Sequence, residues 1–493
     1  MDSNYIWKNH HYSILRMSAV IKSIKKNIYF QFQEIKSLNM NIKLYLLILL
    51  YSLLGNVRPV AQASNLEGSW EGKLMIKPEM GLRLVINIAG SEGEEAIITM
   101  DSPDQGAYGI PMNIEYVSSD SLNVTVPQLM LKYKGKLEGD SIKGDFSQGG
   151  LNLPLILRPK VTTLNRPQTP KAPFPYVTEE IVFQSSLDNA DLYGTLCLPS
   201  NNINDTPVVL LVTGSGTQNR DEEIFEHKPF AVIADYLARN GIASLRYDDR
   251  GFDKTTDLTP NPTTYENAMD ALGGIKFLKE KGFKNVGILG HSEGGLIADK
   301  VANESNLINF IIEIGGPVVS GDSILIFQNE FLLRDGGMPE EYITMYIEAM
   351  KGMIESQKGD SSEVFNENDY AIFSPENLSN PVLSPLIKNL KENFYELAPW
   401  LKYFVNYDPL PDIINISTPI FMLYGENDTQ VPPSLNVPLL EKNKQDIKIK
   451  IYPDLNHLMQ HSKTGKVNEY AEIEETISPE VLEDIKLFIQ TLK

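Results

Sequence analysis

Cysteine is nearly absent: Cys197 stands alone among 493 residues. A single thiol excludes an intramolecular disulfide, a cysteine zinc site and a CxxC redox motif. Histidine is scarce as well. The six (10, 11, 227, 291, 457 and 461) leave little material for a histidine metal cluster. Positive charge falls short, with 44 Lys and Arg against 64 Asp and Glu, a net −20. A surface this acidic repels phosphate backbones, which argues against general nucleic-acid binding. The apolar run LYLLILLYSLL at 44–54 has 11 residues, against the ~20 that a membrane span requires. The rest of the composition, 42% hydrophobic and 22% charged, is that of a packed globular protein. It excludes a wholly disordered chain, a collagen-like fibre and a multi-span membrane protein. At ~150 residues per domain, about three domains are expected, or two with one of them large.

The N-terminal region reads as an address. Lys43 precedes the apolar run and Ala61-Gln62-Ala63 follows it, the small-x-small pattern of a signal-peptidase site. An export signal is expected from near Met40, with cleavage after Ala63, and residues 1–63 form the signal region. Met40-Asn41-Ile42-Lys43 is already a complete signal start. Residues 1–39 therefore read as an upstream stretch from a misassigned start, the alternative being a long basic n-region. A retained anchor is the other alternative to cleavage. The reading implies a secreted or periplasmic protein with no membrane span in the mature chain. Residues 1–63 hold eight basic and two acidic residues, so the remainder is more acidic than the whole.

Two folded parts follow. From 64 to 158, short β-prone runs such as LRLVINIA (82–89), SLNVTVP (121–127) and LPLILR (153–158) are punctuated by Gly, Asp, Ser and Asn. This spacing predicts a small antiparallel β-barrel or sandwich domain. Trp70 reads as core, with a ligand cavity as the alternative. Five prolines between 159 and 175 predict an extended linker over 159–176 with few hydrogen bonds. From 177 to 493 strands and helices alternate. PVVLLVT (207–213), NVGILG (285–290) and TPIFMLYG (418–425) are near-continuous apolar runs, as strands buried on both faces require. The pattern predicts an α/β fold with a mostly parallel, doubly wound sheet. Residues 317–412 break the rhythm and read as a helical cap insertion.

Chemistry concentrates at Gly290-His291-Ser292-Glu293-Gly294-Gly295, between a buried strand and a helix. This is the context of a GxSxG nucleophile turn, where the flanking glycines are needed sterically and Ser292 projects above the sheet. The following helix aims its N-terminal amides at the reacting centre. A serine hydroxyl needs a base, and the base an orienting acid. Asp428 follows the strand TPIFMLY, and His457 follows the strand IKIKIYP. The order Ser292, Asp428, His457 is that of α/β-hydrolases. His461 is the alternative base, and Asp454 and Glu426 are alternative acids. His291 reads as a packing and hydrogen-bonding residue, and the Glu293 side chain as a partner of the helix dipole. The backbone N–H of Glu293 is one expected oxyanion donor. The loop from Gly214 should supply a second, Ser215, with Gly216 as runner-up. That loop lacks the lysine and spacing of a phosphate-binding P-loop.

The blocks VTGSGTQNRDE (212–222), RYDDRGFDKT (246–255), GHSEGG (290–295), PWLKYFVNYDP (399–409), YGENDTQVPP (424–433) and LNHLMQ (455–460) together resemble α/β-hydrolases of the serine esterase and prolyl-oligopeptidase-like superfamily. In particular they resemble two-domain bacterial carboxylesterases of the esterase D type with an N-terminal β domain. The likeness spans 177–493 and, more loosely, the β domain from 66. Thr217 stands where proline is common in the family. The resemblance implies hydrolysis of small-molecule, short-chain acyl esters without metal or organic cofactor. It also makes Trp400 a candidate wall of the acyl pocket and Asp249-Arg250 an ion-paired structural loop. Two alternatives stay open: peptide or amide hydrolysis by the same triad, and a lipid- or glycan-binding protein with a vestigial hydrolase domain.

Overall fold

In a computed structural model of the chain, residues 66–492 are described apart from 78–79, 90–96, 104–106, 149–150, 161–163, 200–204, 256–257, 259–261, 360–363 and 381. The expected export signal lies outside them. No helix of the described residues is long and apolar enough to cross a membrane. The chain divides into two compact units between residues 161 and 162.

The N-terminal unit is built from β1 (Gly68–Lys77), β2 (Met80–Ala89), β3 (Ile97–Ser102), β4 (Ala107–Pro111), β5 (Asn113–Val117), β6 (Ser121–Val126), β7 (Leu131–Glu138), β8 (Ser141–Gln148) and β9 (Leu151–Pro159). All pairings are antiparallel, in the order β4-β3-β2-β1-β9-β8-β7-β6-β5. The sheet's two ends, β4 and β5, are consecutive lengths of one strand bent at Met112, whose N–H still bonds to Ile98 O at 2.9 Å. The sheet therefore curls back on itself into a nearly closed barrel, with β4 and β5 as its two edge strands. Period-2 alternation turns Leu122, Val124 and Val126 of β6 inward, with the intervening residues half-buried. Trp70 belongs to this core, 7% exposed, its indole N–H donating to Leu66 O at 2.8 Å. β4 was not expected from sequence; AYGIP carries both a glycine and a proline in five residues, and its pairing with β3 is irregular.

The C-terminal unit holds an eight-stranded sheet of β10 (Val177–Gln184), β11 (Asp191–Leu198), β12 (Val208–Val212), β13 (Ala243–Tyr247), β14 (Val286–His291), β15 (Phe310–Ile314), β16 (Ile420–Gly425) and β17 (Lys448–Tyr452). Its order is β10-β11-β13-β12-β14-β15-β16-β17, parallel from β13 onward and antiparallel at β10 and β11. Every residue of β12, β14, β15 and β16 is buried. Helices cover both faces. The helices α1 (Pro229–Arg239), α2 (Thr264–Glu280) and α3 (Glu293–Glu304) follow β12, β13 and β14, and α2 starts with a capping box between Thr263 and Glu266. Six helices stand between β15 and β16: α4 (Gly321–Asp335), α5 (Glu340–Glu355), α6 (Pro375–Leu378), α7 (Leu383–Phe394), α8 (Pro399–Asn406) and α9 (Leu410–Asn415). They have a core of their own around Ile347, Met350, Met353, Leu390 and Phe394. Two more helices, α10 (Pro433–Asn443) and α11 (Pro479–Thr491), complete the unit. α1 and α11 pack on one face of the sheet, and α2, α3 and α10 on the other.

The proline-rich segment departs from expectation. Residues 164–176 are bound along the C-terminal unit rather than left short of hydrogen bonds. Arg166 is 8% exposed and donates to the carbonyls of Phe225, Ala471 and Ile473 at 2.7–3.1 Å. Gln168 donates to Ile477 O and accepts from Thr476 N. Proline removes backbone donors, and side chains supply the donors instead.

Asp299 on α3 and Glu313 on β15 are both fully buried and face each other; none of their four oxygens meets a donor from another described residue. Burial, reinforced for Asp299 by the neighbouring carboxylate, pushes both groups above the ordinary carboxyl range, so the pair shares a proton. Unfolded, both ionise near pH ~4. Folded, they hold a proton to higher pH, so their contribution to stability is lost as pH rises from there through the folded values. Asp299→Asn supplies an N–H to Glu313 and removes one of the two ionisable groups. Its melting temperature should exceed that of the unaltered protein by a margin that widens from about pH 6 to about pH 9. Parallel melting curves across that range would refute the shared proton.

Candidate active site

At the end of β14 the chain turns sharply. Ser292 has φ 54° and ψ −120° and immediately precedes α3. A non-glycine residue with positive φ is strained, and the surroundings over-determine it. A Cβ on Gly290 would run into the carbonyl oxygen of Gly294, and a Cβ on Gly294 into that of Val212. Ser292 N–H bonds to Ile314 O at 2.8 Å, tying the turn to β15. Its hydroxyl does not cap α3. Ser292 is half-buried and opens into a cavity of about 280 Å³.

His457 and Asp428 are both 3% exposed. His457 Nδ1 lies 2.6 Å from Asp428 Oδ2. The other carboxylate oxygen, Oδ1, accepts from the backbone N–H groups of Gln430 and Val431, each at 2.8 Å. Asp428 is thus held by three donors, and its orientation leaves one oxygen for the imidazole. Gly315, at φ 58°, backs this pair. A Cβ there would stand 2.9 Å from His457 Nδ1 and Cε1, so no side chain fits without displacing the ring. Tyr424 Oη braces the same turn through Gly316 O at 2.7 Å. The alternative acid and base residues lie elsewhere. His461 is exposed and bound to Glu475 at 2.8 Å, and Glu426 and Asp454 are exposed.

Ser292, His457, Ser215 and Glu293 all line the cavity, with Trp400 and Phe404 of the cap across from them. The loop carrying Ser215 is braced from two sides. Asp249, buried, accepts from Thr213 Oγ1 and from Gln218 N at 2.8 Å. The loop expected to be ion-paired is so through Arg250, while Asp249 is held by neutral donors. Arg250 is buried against Asp270 and Asp188, at 2.6 and 2.7 Å. The adjacent residues point to opposite sides, as neighbours leaving a strand do. Burial without a cation pushes the Asp249 carboxyl well above its ordinary range. The second brace is Glu222, 4% exposed, whose Oε1 accepts from Gly214 N at 2.9 Å.

Glu293 stands in the first turn of α3, as the sequence suggests, and makes further contacts. Its side chain, 2% exposed, accepts from Thr264 Oγ1 at 2.6 Å and from the Trp400 indole N–H at 3.0 Å, so it joins α3 to α2 and to the cap helix α8. Trp400 stacks on Phe404 with ring centroids 5.3 Å apart.

Residues 209–469, more than half the chain, match the alpha/beta hydrolase family. The chain belongs to that family. The order of strands around the turn at Ser292 and the helical insertion before β16 are thus those of an α/β hydrolase with a cap and an N-terminal antiparallel barrel. Among curated proteins, the chain is similar to Esterase EstD of Thermotoga maritima, 26% identical over 287 residues, which cover 58% of this chain and 62% of that one. Among solved structures it is similar to the esterase PF2001 of Pyrococcus furiosus, with 16% identity, 67% of this chain and 98% of that one covered, and a TM-score of 0.39. It is also similar to Est1E of Butyrivibrio proteoclasticus, with 15% identity, 64% and 98% covered, and a TM-score of 0.38.

Proposed function

We propose that the hydrolase cleaves short-chain carboxylic esters through an acyl-enzyme on Ser292. The observation that carries this reading is the His457–Asp428 hydrogen bond at 2.6 Å beside a cavity that Ser292 also lines. In this reaction His457 takes the Ser292 proton as the hydroxyl attacks the ester carbonyl. Asp428 holds Nδ1–H and stabilises the imidazolium. The amides of Glu293 and Ser215 receive the oxyanion, with Gly216 as the alternative to Ser215. His457 then protonates the departing alcohol, and water repeats the sequence in reverse on the acyl-enzyme.

Substrate size follows from the cavity. About 280 Å³ falls just below the ~300–1,000 Å³ of small-molecule pockets. Ile324, Trp400 and Phe404 give its cap side an apolar wall, suited to an acyl chain of few carbons. The resemblance to EstD supports ester over amide substrates. Localisation outside the cytoplasm, by the signal at 40–63, is part of the same proposal. A panel of p-nitrophenyl esters tests it. Turnover should be highest for acetate and butyrate and fall steeply for long chains. Inertness toward the whole panel, or preference for aminoacyl anilides, would overturn it in favour of an amidase.

A further inference from the structure

His291, inside the turn that carries Ser292, is only 7% exposed. Its Nδ1 lies 2.8 Å from Glu222 Oε1, and its Nε2 lies 3.1 Å from the backbone carbonyl oxygen of His457. A carbonyl oxygen can only accept, so Nε2 carries a proton. Nδ1 faces a carboxylate oxygen that already accepts from Gly214 N–H at 2.9 Å, and an ionised carboxylate also only accepts. An ionised Glu222 makes both ring nitrogens donors and the ring an imidazolium. We propose that the buried Glu222–His291 ion pair positions the reaction machinery, and that turnover requires His291 doubly protonated. The proposal rests on the serine-hydrolase reading above.

The pair joins three parts that are far apart in sequence. Gly214 adjoins the oxyanion donor Ser215, His291 adjoins Ser292, and the bonded carbonyl belongs to the base His457 itself. Glu222 has a left-handed backbone, φ 52°, which turns its side chain back under the loop that it braces. The charged or titratable groups facing His291 are Glu222 from the 214–228 loop, His457 from the loop after β17 and, behind it, Asp428. The His291 and His457 ring centroids are 4.7 Å apart. Burial alone pulls the His291 imidazole down, but the Glu222 carboxylate more than offsets it, with help from the His457 carbonyl, and the ring titrates above its ordinary range. When His291 loses a proton at alkaline pH, one of its nitrogens turns a lone pair toward an acceptor, and either Glu222 or the His457 main chain is released.

Glu222→Gln tests this, because one oxygen serves two donors. With the amide oxygen in that place, His291 keeps Nδ1–H and loses its bond to His457 O. With the amide nitrogen there, the bond to Gly214 N–H is lost. For p-nitrophenyl acetate, kcat should fall about 100-fold, as for a misplaced reacting group, while KM stays within about twofold. The alkaline limb of the kcat profile should also move by about one pH unit or more toward acid, a displacement that a merely structural role would not produce. A profile that superimposes on that of the unaltered enzyme overturns the proposal. Nitrogen-15 spectra of the histidine rings in the unaltered enzyme give a second reading that needs no variant. The ring near the Gly214 amide should carry two N–H groups at about pH 8, and a neutral ring there also overturns it. Failure of the hydrolase reading would show separately, as an unaltered enzyme that neither turns over esters nor is labelled at Ser292 by a fluorophosphonate.

Discussion

If Ser292 is the nucleophile proposed above, replacing it with alanine should lower kcat for p-nitrophenyl butyrate by about 10⁶-fold, the scale set by removing the triad nucleophile of a serine protease. The structure separates this effect from folding. The Ser292 hydroxyl does not cap α3, so deleting it removes no bond of the helix. The turn is held instead by Ser292 N–H on Ile314 O and by the close approach of Gly290 to Gly294. Alanine keeps that backbone, and the melting temperature should stay within the range of a neutral surface change. Fluorophosphonate labelling should vanish together with turnover. A variant that keeps turnover would transfer the nucleophile's role to another group of the cavity, such as Ser215, and end the assignment.

Much of the fold could be read in advance because its signals are local. The apolar runs that became β12, β14, β15 and β16 are short and uninterrupted, and burial on both faces is the one environment that tolerates them. GHSEGG stands out for the same kind of reason: its glycines answer a steric demand within four residues. Asp428 and His457 were singled out by their places just after two strands, and the structure brings the two side chains within 2.6 Å of each other. The rest depends on contacts that no spacing announces. Glu222 lies in the acidic run Asp221-Glu222-Glu223, where nothing in the text separates a buried brace from two more exposed neighbours. Gly315 reads as an ordinary glycine after a strand, and only the imidazole packed 2.9 Å from its missing Cβ reveals the constraint. Glu293 next to a helix start suggested a dipole partner, but not its further partners Thr264 and Trp400, 29 and 107 residues away. Arg166 was concealed by the prolines around it.

Replacing Asp428 with asparagine should cost about 10⁴ in kcat, the scale of a wrong imidazole tautomer, and the reason lies in the backbone. Two N–H groups, of Gln430 and Val431, point at Oδ1 from 2.8 Å. An asparagine keeps both bonds only with its amide oxygen in that position. Its NH₂ must then occupy the place of Oδ2, 2.6 Å from His457 Nδ1. Two donors cannot share that gap, so Nδ1 gives up its proton and Nε2 holds one. A ring protonated at Nε2 has no lone pair for the Ser292 proton, and the base is lost with its geometry intact. The main-chain bonds survive, so the variant should fold and melt close to the unaltered enzyme. Asp428→Ala strands both amides in a buried site and should unfold earlier, by about 1–3 kcal/mol for each unsatisfied group. An asparagine variant that retains kcat within about tenfold would show that Asp428 does not set the tautomer, and the roles given to His457 and Ser292 would lose their support.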